Sequence, residues 1–79
     1  MREYITLAEL PAGKRARIIG IHGGHRARLR LYSMGIREGI EIKKLSGLFH
    51  RGPSIIEVGS AQIAIGFGIA RRILVEVLE

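Results

Sequence analysis

Glycine interrupts this sequence so often that long secondary-structure elements are excluded. Eleven of the 79 residues are glycine, and the stretches between them are short and rich in isoleucine. Glycine adopts the positive φ angles of tight turns at little steric cost, whereas β-branched isoleucine favours strands. The pattern predicts short strands joined by tight turns. The longest stretch without a charged residue, 58–70, is too short for the roughly 20 apolar residues of a membrane span.

Five strands are predicted from apolar residues that alternate with polar ones or form short runs. They cover residues 15–22, 39–45, 55–58, 61–65 and 73–78. The alternation slips at Lys44-Leu45, which indicates a bulge in the second strand. Before the first strand, Thr6 and Glu9 have the spacing of a capping box, so one helical turn is expected there.

The one helix is predicted over residues 25–34, directly after the first strand. Ala27, Leu31 and Met34 recur at i, i+4 and i+7 and form one apolar stripe. Gly35 follows where a helix commonly ends in a left-handed residue. The bulk of the chain is thus strand and turn, with a single short helical segment.

Five short strands and one helix indicate a mainly β fold. The short connections favour antiparallel neighbours, and closure into a barrel would remove exposed sheet edges. We therefore predict a small SH3-like five-stranded antiparallel barrel with one short helix after the first strand, occupying residues 1–79 as a single domain. An OB-fold is the main alternative, although its helix usually lies between the third and fourth strands.

The composition excludes several kinds of catalytic site. The chain has no cysteine and no aspartate, so it offers no disulfide, no thiolate metal ligand and no thiol nucleophile. Seven scattered glutamates supply paired-carboxylate chemistry poorly, and no serine, histidine and acid show the spacing of a catalytic triad. We expect a protein that is not an enzyme.

Three histidines are the candidate metal ligands. His22 and His25 flank a Gly-Gly turn, and His50 lies at a predicted hairpin tip. Neutral imidazoles bind transition metals, but no carboxylate or cysteine is close in sequence. Exposed polar histidines are the simpler interpretation, so we expect no resident cofactor and at most weak or adventitious divalent metal binding.

Positive charge is concentrated on and after the predicted helix. Thirteen Lys and Arg against seven Glu give a net charge of +6. The basic positions are Arg26, Arg28, Arg30, Arg37 and Lys43-Lys44. This cluster is either solvated surface, a contact for an acidic partner, or a contact for RNA or a ribosomal partner. Nucleic acid is disfavoured, because aromatic residues for base stacking are not interleaved with the arginines.

Four apolar residues fall at predicted turns, where polar residues are usual. They are Leu48, Phe49, Phe67 and Ile69. Such residues either fold back onto the core or form a contact patch for a partner or a second copy of the chain. We interpret them as a patch, separate from the basic cluster.

Taken in order, several motifs resemble the FeoA family of small proteins of ferrous iron transport. They are Leu-Ala-Glu-Leu-Pro-Ala-Gly at 7–13, Ala-Arg-Ile-Ile-Gly-Ile at 16–21, Gly-Gly at 23–24, Leu-Tyr-Ser-Met-Gly-Ile-Arg-Glu-Gly at 31–39, Pro-Ser-Ile-Ile-Glu-Val-Gly at 53–59 and Ala-Arg-Arg-Ile-Leu-Val-Glu at 70–76. The most specific is the helix end with Gly35 and Gly39, followed by a strand.

The resemblance implies an SH3-like barrel, a cytoplasmic location and a protein partner. That partner is the FeoB membrane GTPase, which carries ferrous iron, so the protein would act as an accessory that is peripheral to the inner face of the membrane. One segment departs from the family pattern: residues 66–69 are Gly-Phe-Gly-Ile, where charged residues are usual.

Overall fold

The computed structural model describes residues 1–47 and 52–78. The strands are β1 (Glu3–Thr6), β2 (Arg15–Ile21), β3 (Glu41–Ser46), β4 (Ser54–Val58), β5 (Ala61–Ile65) and β6 (Ile73–Val77), and the helices are α1 (His25–Ser33) and α2 (Phe67–Ala70). The predicted helix and all five predicted strands are present. The turn of Thr6 and Glu9 also forms, with the Thr6 backbone N–H donating to Glu9 Oε1 at 2.9 Å.

All strands form one antiparallel sheet in the order β1-β6-β2-β3-β4-β5. The predicted number of five strands was wrong by one, because β1 was missed. Its four residues carry only a weak local pattern, and it is held by pairing with β6, where Ile5 lies opposite Val75. Complete closure was also not found: within the described residues, β1 and β5 stand at the two ends of the strand order and are not paired with each other.

The core is built largely from the inward positions of the strands and from α1. Its buried apolar residues are Leu7, Leu10, Ala16, Ile18, Ile21, Leu31, Ile36, Ile42, Ile56, Ile65, Ala70, Ile73 and Val75. A register shift between Ile18 and Gly20 explains why the isoleucines of β2 do not alternate cleanly. Ile19 faces outward in the regular alternation, and the shift after it returns Ile21 to the buried side with Ile18.

Helix α1 ends in a hydrogen-bonded left-handed turn, as predicted. Gly35 has a φ of +83°. Its N–H donates to the Tyr32 carbonyl at 3.0 Å, and the Ile36 N–H donates to the Leu31 carbonyl at 2.9 Å. These two bonds define a Schellman motif, and the burial of both Leu31 and Ile36 supplies its hydrophobic contact. The motif fixes where the chain leaves α1.

Lys44 was predicted to belong to the basic surface, and this prediction was wrong. The alternation of β3 continues through Ile42 to Lys44, so both side chains point inward, and the register shift follows only between Lys44 and Ser46. Lys44 is fully buried. Its ammonium donates to the carbonyls of Leu7 at 3.0 Å and Ala8 at 3.2 Å. Burial lowers the pKa of Lys44.

Candidate functional site: a groove between α1 and β5

A surface groove of about 500 Å³ lies between α1 on one side and the end of β5 with the start of α2 on the other. Its lining residues are Arg26, Ala27, Arg30, Leu31, Met34, Ala64, Ile65, Gly66 and Ile69. The groove is formed by segments that are about 30 residues apart in sequence, so it exists only in the folded sheet.

The helical wall follows from the apolar stripe seen in the sequence. Ala27, Leu31 and Met34 all line the groove, in the order that the 3.6-residue period dictates. Leu31 is buried and continues into the core, whereas Met34 remains 39% exposed. The fold therefore buries only part of the apolar stripe, and the rest of its apolar surface faces solvent along the groove.

Of the opposite wall, only Ile69 was predicted as part of a binding surface. Ile65 is buried, Ala64 is exposed, and Ile69 of α2 is half-buried against the core. The sequence placed Ile69 in an apolar patch at a turn, separate from the basic cluster. No local pattern could place it opposite α1, because that neighbourhood depends on the antiparallel pairing of β4 with β5.

Two guanidinium groups stand at the groove, those of Arg26 and Arg30. They lie one helical turn apart on α1, and both residues are exposed. Three other arginines are paired: Arg2 and Arg17 lie 3.2 Å and 3.9 Å from Glu76, and Arg15 lies 2.8 Å from Glu41.

Among the residues that the structure describes, Arg26 and Arg30 form no ion pair or side-chain hydrogen bond. The groove thus combines an apolar floor with two positive charges that residues 1–47 and 52–78 leave without an ion-pair partner.

Arg28, the third predicted contact of the helix, does not line the groove. It is half-buried, and its charge acts on Tyr32 and Glu38. The Tyr32 hydroxyl donates to Glu38 Oε1 at 3.0 Å, which raises the pKa of Tyr32. The Arg37 guanidinium lies 5.5 Å from the centre of the same ring. These contacts join Tyr32, in the last turn of α1, to the segment that follows the helix. Arg28 belongs to this cluster and lies outside the groove.

The predicted metal ligands are not assembled into a site by the described residues. His22 and His25 are both exposed, on either side of Gly23 and Gly24. His50 lies outside the described residues. Across 1–47 and 52–78, no three His, Cys, Asp or Glu side chains come together as a group that could hold a metal ion.

Two of the four residues of the predicted apolar patch lie within the described residues. Leu48 and Phe49 lie outside the described residues. Phe67 begins α2 and is half-buried, and Ile69 contributes to both the core and the groove. No helix in the part of the chain that the structure describes is long and apolar enough to cross a membrane.

The sheet and its helix define a class: a small, mainly β, SH3-like protein with a groove beside its helix. The chain belongs to the FeoA family, because the model of the FeoA domain matches residues 5–77. The expected family and fold are confirmed.

Three relatives illustrate the match. A candidate Fe(2+) transport protein A from Methanocaldococcus jannaschii is 38% identical over 92% of this chain and 87% of its own length. A crystal structure of FeoA, described as an iron uptake regulatory protein, superposes with a TM-score of 0.89 and 39% identity, covering 96% of this chain and 100% of that one.

The zinc complex of Stenotrophomonas maltophilia FeoA superposes with a TM-score of 0.76 and 27% identity over 90% of this chain and 88% of that one. It is described as an SH3 domain protein and a candidate activating factor of ferrous iron transport. Its description supports the SH3-like class for the fold observed here.

Proposed function

We propose that this protein is an accessory component of ferrous iron uptake. It acts at the cytoplasmic face of the membrane, by protein–protein contact with a FeoB-type GTPase transporter. Membership of the FeoA family and the names of its relatives support the iron system. The transporter as partner is the implication of the family resemblance in the sequence.

The observation that carries a contact function is the groove itself. An apolar floor beside uncompensated charge is the composition of a protein-binding surface, in which burial supplies affinity and charge selects the partner. Arg26 and Arg30 select for an acidic partner. Exposed Met34 offers an unbranched apolar side chain that adapts to different contacts.

The groove is built for binding and not for catalysis. Among the lining residues that the structure describes, the only ionisable groups are the two guanidiniums, which stay protonated at physiological pH and can neither accept a proton nor attack a substrate. In this proposal ferrous iron is the cargo of the partner, and the protein contributes contact energy.

The experiment is an affinity measurement with the cytoplasmic part of a FeoB-type transporter. Charge reversal of both groove arginines, Arg26→Glu with Arg30→Glu, should weaken binding at least tenfold. The control is Arg28→Glu, which changes one charge on the same helix outside the groove and should weaken binding less than threefold. Circular dichroism should show unchanged folding in each variant.

Two results would count against the proposal. If the wild-type protein fails to bind the transporter part at low salt, the partner is wrong. If Arg28→Glu weakens binding as strongly as the double variant, the contact is a diffuse response to net charge and does not use the groove.

A further inference from the structure

Strand β5 forms one wall of the groove, and its outer edge is not paired with any strand in the described part of the chain. The hairpin before it turns through Gly59 and Ser60, with a φ of +60° at Gly59 and no positive φ at any described residue other than glycine. Glycine at the first central position is the signature of a type II′ turn, which makes Val58 and Ala61 a hydrogen-bonded pair.

Alternation along the ladder then determines which backbone groups of β5 are free. Because Val58 and Ala61 form a hydrogen-bonded pair, the backbone N–H and C=O groups of Ile63 and Ile65 also point toward β4. The backbone N–H and C=O groups of Gln62 and Ala64 therefore point away from β4, toward the outer edge. Both residues are exposed. In the described part of the chain no other strand lies on this side of β5.

The edge also lacks the features that usually discourage strand addition. The sequence of β5 is Ala-Gln-Ile-Ala-Ile, with no charged residue and no proline, whereas exposed edges are commonly protected by lysine, proline or a bulge. Two positive charges, those of Arg26 and Arg30, stand across the groove on α1. A strand seated beside β5 would meet them and would also cover the apolar floor.

We propose that β5 accepts an extended acidic segment of the partner as an additional antiparallel or parallel strand, with apolar side chains on the groove floor and carboxylates at Arg26 and Arg30. This inference rests on the proposed function for the identity of the partner, but not for the binding mode. Backbone pairing with Gln62 and Ala64 gives affinity, and alternate side chains give selectivity.

The spacing of the two arginines suits such a segment. Side chains four residues apart on a helix have Cβ atoms about 5–6 Å apart. Alternate residues of a strand are about 6.6 Å apart and face the same side. Two carboxylates at alternate positions of a strand lying alongside α1 can therefore reach Arg26 and Arg30 together, while the next groove-facing residue contacts Leu31 and Met34.

A second copy of this chain is the less suitable occupant. Pairing of β5 with β5 of another copy would bring two proteins of net charge +6 together, with Arg26 and Arg30 of both copies close to the contact. Like charges that approach in this way oppose association. The charge of the groove therefore favours an acidic segment over self-pairing.

The probe is an eight-residue synthetic peptide, Thr-Val-Thr-Glu-Thr-Glu-Thr-Val, in which the two glutamates stand at alternate positions on one face of the strand. Two further versions carry N-methyl groups on alternate amides, one version on the odd set and one on the even set. The proteins are the full-length wild type, Gln62→Pro and the matched control Gln62→Ala. Proline at position 62 removes an N–H that points away from β4, so the hairpin keeps its own bonds.

We expect the unmethylated peptide to bind the wild type and Gln62→Ala, and to bind Gln62→Pro at least tenfold more weakly. One methylated version should lose binding and the other keep it, because only one set of amides faces β5. In amide NMR spectra the Gln62 and Ala64 signals should shift most. Replacing both glutamates by lysine should abolish binding.

Three results would overturn the inference: no binding by the acidic peptide, equal binding by both methylated versions, or a concentration-dependent dimer that Gln62→Pro dissociates. The methylated peptides test the wild-type protein, so the conclusion does not depend on the proline variant folding. If the transporter part binds but is insensitive to Gln62→Pro, the strand mode fails while the proposed function stands. If the peptide binds and the transporter part does not, the strand mode stands while the proposed function fails.

Discussion

At the scale of single residues, Lys44 shows how burial can contradict a pattern of charge. A lysine beside another lysine is usually solvated, and the sequence offered no partner for it. The structure supplies two carbonyl acceptors, those of Leu7 and Ala8, from the turn after β1. This turn lies 36 residues earlier in the chain, so its contact with β3 depends on the tertiary fold.

The lowered pKa of Lys44 predicts that the free energy of unfolding changes with pH in the alkaline range. The unfolded chain holds this proton up to a pKa of about 10.4, whereas the folded state releases it at lower pH. Between those two values the unfolded state binds more protons, so the free energy of unfolding contributed by Lys44 rises with pH. Urea titrations of the wild type and Lys44→Met at several pH values above 7 should measure the difference.

The Lys44→Met variant removes the titrating group and keeps most of the buried volume. We expect the free energy of unfolding of the wild type, relative to the variant, to increase as the pH is raised toward that of free lysine. A constant or decreasing difference would show that the buried ammonium is not disfavoured in the folded state.

At the scale of elements, local patterns predicted those elements that carry their own signal. Helix α1 was predicted at both ends, because its apolar stripe and Gly35 are local features. Strands β2 to β6 were found for the same reason. Strand β1 was missed because its identity comes from its neighbour β6, which lies at the other end of the described chain. A long-range pairing of this kind produces almost no recognisable sequence pattern in a segment of four residues.

At the left-handed end of α1, glycine is required because of the backbone conformation, and not because a side chain would clash with neighbouring atoms. A Cβ at Gly35 would meet nothing within 4 Å, but its φ is +83°. Gly35→Ala should therefore destabilise the protein by roughly 1–2 kcal/mol, the cost of the left-handed conformation. Thermal unfolding followed by circular dichroism measures this difference.

Gly68 of α2 provides the matched control for Gly35. It also has open space around a Cβ, but its φ is not positive. Gly68→Ala should leave stability unchanged or raise it by up to about 1 kcal/mol, since alanine favours the helix. Equal destabilisation by both substitutions would mean that side-chain space, and not φ, decides at Gly35.

At the scale of the whole molecule, the distribution of charge distinguishes two kinds of surface. Glu41 and Glu76 pair with Arg2, Arg15 and Arg17, whereas the arginines at the groove form no ion pair among residues 1–47 and 52–78. The sequence predicted the basic half of this site, because Arg26 and Arg30 share a helix face with the apolar stripe. It could not predict the half contributed by β5, since only the folded sheet brings that strand beside α1.

The whole surface also bears on the alternative that this barrel binds RNA. The chain has four aromatic residues, and the Tyr32 ring is engaged by Arg37 on its face and by Glu38 at its hydroxyl. A base could therefore stack on the Arg37 side of the Tyr32 ring only by displacing that guanidinium.

We expect no mobility shift of a single-stranded RNA oligonucleotide at 150 mM salt, under conditions in which the transporter part binds. The control is the same assay at low salt, where any basic protein can retard RNA through its charge. A shift that persists at 150 mM salt and disappears with Arg26→Glu and Arg30→Glu would favour the RNA alternative.

The position of β6 has a consequence for synthesis of the protein. This strand lies between β1 and β2 and contributes Ile73 and Val75 to the core, although it is translated after the other five strands. While β6 is still inside the ribosome, β1 lacks its partner strand and β2 lacks one of its two. The β1–β6 and β2–β6 pairings therefore cannot form co-translationally until the end of β6 has emerged, and the central sheet is completed only then.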